Sequence, residues 1–102
     1  MSYEPKLRPN AQQKITAYLE DTYKTREAYL QAVDEIRLAF LNLAANPRQA
    51  SSPPGPFEQR PIFRFSLHAG STRRDVQVCF CYDKDDREER IILITDFMPV
   101  GS

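Results

Sequence analysis

Residues Thr25 to Pro47 read TREAYLQAVDEIRLAFLNLAANP, and their spacing predicts one long helix. Tyr29, Val33, Ile36, Phe40 and Leu43 recur at intervals of three and four, with Ala32 and Ala39 beside them, so one face of that helix is apolar and must be covered. Thr25 is placed to cap the first turn. Asn46 and Pro47 end the helix near Ala45, because the residue before a proline avoids the helical region. Leu30, Leu41 and Ala44 widen the stripe enough to meet both a second helix and a sheet. Leu38 alone falls on the polar side, where it is either an ordinary exposed leucine or a contact point for a partner or a second copy.

The flanking sequence supplies the cover. Upstream, Tyr3 to Arg8 alternates apolar and polar residues and reads as a first strand, with Pro5 placing it at an edge or with its missing donor facing outward, because proline cannot donate to a ladder. Pro9, Asn10 and Gln13 then read as a helix start with Asn10 as N-cap of a capping box. Ala11, Ile15, Tyr18, Leu19 and Thr22 follow as a second apolar stripe that fades near Tyr23. Downstream, residues 46–61 carry Pro47, Pro53, Pro54, Pro56 and Pro61 and form a loop.

The last third divides into three strands. Ile62 to His68 places Phe63, Phe65 and Leu67 on one face and Ile62, Arg64, Ser66 and His68 on the other. After a turn at Ala69, Gly70 and Ser71, the strand Asp75 to Tyr82 points Val76, Val78, Phe80 and Tyr82 inward and Gln77, Cys79 and Cys81 outward. An acidic turn at Asp83 to Glu89 leads to Arg90 to Phe97, where Ile91, Leu93 and Phe97 share a face and Ile92 and Ile94 occupy the other. Apolar on both sides, this strand is expected at the centre of the sheet. The fold class is therefore α+β, a strand, a helical hairpin and a three-stranded antiparallel meander, with the helices on one face of a single, mainly antiparallel sheet. The open face, with Arg64, Ser66, His68, Gln77 and Cys79, is where function is expected.

A chain of 102 residues forms one domain over residues 1–102 and can bury a core of its own. Lysine and arginine together number 14, as do aspartate and glutamate, so no global field draws the protein to nucleic acid or anionic lipid. No apolar run approaches the length of a membrane span and no signal-peptide pattern opens the chain, which implies a cytoplasmic protein with no membrane partner. Cys79 and Cys81 leave one strand face in parallel, a poor geometry for bonding to each other. With His68 the only imidazole, no metal site or cofactor is expected.

The order of elements and the local text resemble the RelE/ParE superfamily of bacterial toxins from type II toxin–antitoxin modules. Tyr3 to Leu19 looks like the family's opening strand and first helix. Tyr29 to Pro47 looks like its second helix, which ends in Leu, small residues, Asn and Pro. Arg60 to Leu67 and Val76 to Tyr82 are similar to its middle strands. The resemblance implies a plasmid-stabilisation type of toxin with a cognate antitoxin as protein partner. In the ParE-like branch such a protein binds and poisons DNA gyrase without being an enzyme. In the RelE-like branch it is a ribosome-dependent endoribonuclease of messenger RNA that needs cations and a proton donor near the leaving oxygen.

Carried over by position, Arg64 and Arg74 match basic residues of the RelE-like pattern, and His68 could lend an imidazole. These three are the catalytic candidates if the protein is a nuclease. Arg60, Arg64, Arg73, Arg74 and Leu38 are the binding candidates. Each arginine also has the plain reading of a solvated residue or a brace. Ser66 stands where a second basic residue is expected, and after Thr95 the chain continues Asp96, Phe97, Met98, Pro99 and Val100, without the Arg, Lys or Tyr of the nuclease branch. The sequence therefore points first to a ParE-like binding toxin, with the nuclease as the alternative and a non-toxic interaction module as a third reading.

Overall fold

Thr25 does cap the long helix: its hydroxyl accepts the Ala28 amide at 3.2 Å, and helix α2 runs Arg26–Ala45. The chain is seen here in a computed structural model that describes residues 3–47, 61–84 and 86–100. The proline-rich loop expected at 46–61 lies outside the described residues apart from its ends, as does Arg60. Around α2 stand β1 (Glu4–Leu7), α1 (Pro9–Thr22), β2 (Ile62–Leu67), β3 (Arg74–Lys84) and β4 (Arg90–Pro99).

The start of α1 differs from the sequence reading. The helix begins at Pro9, Arg8 occupies the N-cap position, and no side chain caps it. Proline suits the first helical position because its φ is already helical and its missing N–H has no partner there. Asn10 is thereby drawn inside the helix, and its side-chain amide donates to the Thr95 carbonyl at 3.1 Å. The capping box of Asn10 and Gln13 is not formed.

The strands make one mixed sheet in the order β1-β4-β3-β2, with β1 parallel to β4 and the other neighbours antiparallel. Strand β4 is central, as its two-sided apolar pattern requires, and β1 with Pro5 is an edge. Both helices pack on one face. Ala11, Ile15 and Leu19 of α1, and Ala32, Ile36, Phe40, Leu43 and Ala44 of α2, close over Phe63, Leu67, Val76, Val78 and Phe80 of the sheet. Phe40 meets Phe65 edge-on with ring centroids 6.1 Å apart.

Two expectations for the sheet are corrected. Phe97 does not share a face with Leu93. The register passes from Cys79↔Asp96 to Phe80↔Ile94, so Thr95 is an extra residue in β4. A bulge of this kind reverses side-chain alternation beyond it. Phe97 accordingly lies on the helix side with Ile92 and Ile94, buried against Tyr18. The Thr95 hydroxyl donates to the Cys79 carbonyl at 3.2 Å, which ties the bulge to β3. Tyr82, expected inside, has the inward parity but is 51% exposed. It sits past the helices, where its ring meets Tyr3 and Phe80.

Candidate functional site

The helix-free face of the sheet gathers its polar side chains at the β2 end. Arg64 and Gln77 are opposed across β2 and β3, as are Ser66 and Asp75. The Arg64 Nε donates to Gln77 Oε1 at 3.1 Å. The Ser66 hydroxyl donates to Asp75 Oδ1 at 2.6 Å, and Arg73 Nε reaches the same carboxylate oxygen at 3.1 Å and Ser66 Oγ at 3.3 Å. The Ser66 and Arg73 hydrogen bonds hold the Asp75 carboxyl below the usual range, helped by the positive fields of Arg73 and His68. These groups are solvated, so the cluster is a surface network and not a buried catalytic cavity.

The catalytic candidates separate. Arg64 is on the open face. His68 lies just past β2, exposed, with its amide donating to Glu35 Oε1 at 2.9 Å while the Ala69 amide takes Glu35 Oε2 at 3.1 Å. Arg74 has the parity of Val76 and Val78 and belongs to the helix side, its guanidinium 6.0 Å from the Tyr23 ring centroid. Arg64, His68 and Arg74 therefore do not converge on one face as a single constellation. Of the binding candidates, Arg73 joins Arg64 on the open face, Arg74 does not, and Leu38 is 61% exposed on the solvent side of α2.

Three features escaped sequence reading. One is the Ser66–Asp75–Arg73 network, which depends on a cross-strand register that the turn at residues 69–71 sets. Another is Glu35, whose carboxylate anchors that turn from the middle of a helix. Gly70 and Ser71 there adopt φ of 73° and 64°, and the two Glu35 bonds hold the start of the turn in place.

The third is a groove of about 300 Å³ between the helices, walled by Leu7, Ile15, Leu19, Tyr29, Val33, Ile36 and Phe40, with Arg37 at its rim. Val33 and Leu7 are 37% and 38% exposed, and Leu30 and Leu41 are more so. The stripe of α2 is thus covered by the sheet along one margin and left open along the other. The widened apolar face was visible in sequence; the gap was not, because it depends on α1 packing more against β4 than against α2.

Among the described residues no cluster of histidine, cysteine, aspartate and glutamate could hold a metal ion, and no helix is long and apolar enough to cross a membrane. Compared with protein-family models, with curated proteins and with solved structures, the chain matches none.

Proposed function

We propose that this chain is the toxin component of a type II toxin–antitoxin module, RelE/ParE-like in fold and ParE-like in action. It arrests growth by binding a cellular target such as DNA gyrase and is neutralised by a cognate antitoxin. The observation that carries the choice of branch is the separation, among the described residues, of Arg64 and Arg73 from Arg74. Arg74 lies on the helix side beside Tyr23, and the Nε atoms of Arg64 and Arg73 are engaged by neighbours on the open face. A ribonuclease needs cations and a proton donor at one scissile phosphate. This arrangement suits a binding surface better.

The open groove between α1 and α2 fits the antitoxin in the same reading. An amphipathic segment that folds as it binds would cover the margin formed by Leu30, Val33 and Leu41 with Leu7.

Induced expression in a bacterial host is the test. Growth arrest without messenger RNA cleavage, relieved by co-expression of a neighbouring small reading frame, is the expected result. Full growth at strong expression of folded protein would sink the toxin reading. Arrest with translation-dependent messenger RNA cleavage, lost in Arg64→Ala and Arg74→Ala, would move the protein to the RelE-like branch.

A further inference from the structure

The sheet has two edges, β1 and β2, and they are protected unequally. Strand β1 has 4 residues, contains Pro5, and presents Glu4 and Lys6 as an ion pair, features that discourage pairing with another chain. Strand β2, IFRFSL, has 6 residues, no proline and one charge, Arg64.

The direction of the β2 backbone groups follows from one hydrogen bond. The Phe80 amide donates to the Pro61 carbonyl at 3.3 Å. Counting on through the register Ile62↔Cys79 to Leu67↔Arg74, Phe63, Phe65 and Leu67 turn their amides and carbonyls towards β3, and Ile62, Arg64 and Ser66 turn theirs away. The Arg64–Gln77 and Ser66–Asp75 side-chain bonds agree, since side chains approach most closely in the pairs that exchange no backbone bonds. Among the described residues, no backbone partner meets the outward groups of Ile62, Arg64 and Ser66.

We propose that β2 is a homodimerisation edge, on which two copies of this chain pair antiparallel about a two-fold axis at Phe65. Two central registers use the outward groups. One sets Arg64 opposite Arg64 of the second copy, and like charges directly opposed are unfavourable. The other sets Arg64 opposite Ser66 of the second copy, whose hydroxyl holds the Asp75 carboxylate. In that register each guanidinium gains an anion from the other chain, twice by symmetry. The same register brings Phe65 against its own symmetry mate at about 4.5 Å between Cα atoms, and Phe63 opposite Leu67.

Phe65 is half-buried in the single chain, stacked on Phe63 at 5.5 Å, so pairing completes its burial. The ladder is bounded at His68, whose amide is already taken by Glu35. A foreign strand could use the same amides. Only a second copy supplies the reciprocal Arg64 to Ser66–Asp75 contact. The pairing stands apart from the toxin reading.

Light scattering over a concentration series, with amide hydrogen exchange at each end of it, tests the proposal. The expected result is a mass that rises from one chain to two, with the Arg64 and Ser66 amides becoming protected as it does. Arg64→Glu should weaken the dimer about tenfold or more by setting two carboxylates together, and adding Ser66→Lys should restore it. Circular dichroism and melting establish that each variant is folded, and if Arg64→Glu is not, exchange in the unaltered protein decides. A chain that stays monomeric, a dimer whose Arg64 and Ser66 amides exchange freely, or a dimer indifferent to folded Arg64→Glu overturns it.

Discussion

Tyr23 takes its hydroxyl into the core along with its ring. The residue is 6% exposed, and among the described residues the hydroxyl finds no hydrogen-bond partner. Burial, with smaller contributions from Tyr18 and Glu35, pushes its pKa above the usual phenol range, and Arg74 opposes the shift. A raised folded-state value leaves stability intact below about pH 10 and erodes it as the pH climbs towards that value. Tyr23→Phe should flatten this alkaline decline and leave stability at neutral pH unchanged or about 1 kcal/mol higher, since a buried unpaired hydroxyl is a cost; melting curves across alkaline pH check both. Asp75 behaves in the opposite sense. Its depressed carboxyl favours the folded state above about pH 4 and loses that contribution as the pH falls through the lowered value. Asp75→Asn should therefore make the acid-side decline shallower in the same kind of titration.

At the scale of elements, the bulge at Thr95 decides which side of β4 reaches the core. Phe97 is 3% exposed beneath Tyr18, whereas Leu93 faces outward opposite Cys81. Phe97→Ala should cost about 3 to 5 kcal/mol, and Leu93→Ala about 1 kcal/mol. Denaturant unfolding distinguishes this from an unbulged strand, in which the two residues would share a face and a more similar cost. The α2 helix, the edge position of β1 and the central position of β4 were all legible in sequence, because each follows from periodicity, proline chemistry or two-sided apolarity. The bulge and the start of α1 were not. They are coupled: the displaced Thr95 carbonyl is satisfied by Asn10, and that bond is possible because Pro9, not Asn10, opens the helix. Local patterns cannot register a partner 85 positions away. The candidate site was legible residue by residue and not as an arrangement, since Arg73 and Arg74 are adjacent in sequence and face opposite sides of the sheet.

For the whole molecule, the sheet divides the labour between its faces. The helix side holds the core and the open interhelical groove, and the other side holds a solvated network centred on Asp75. Among the described residues neither face brings Arg64, His68 and Arg74 together as the cationic cluster that phosphodiester cleavage requires, which is the ground on which we propose that the protein acts by binding. The direct measurement is to add the purified protein to a DNA gyrase supercoiling reaction and, separately, to a ribosome-dependent translation reaction whose messenger RNA is followed by primer extension. Inhibited supercoiling with intact messenger RNA is the predicted result. Translation-dependent cleavage that vanishes in Arg64→Ala and Arg74→Ala, with supercoiling untouched, would contradict it.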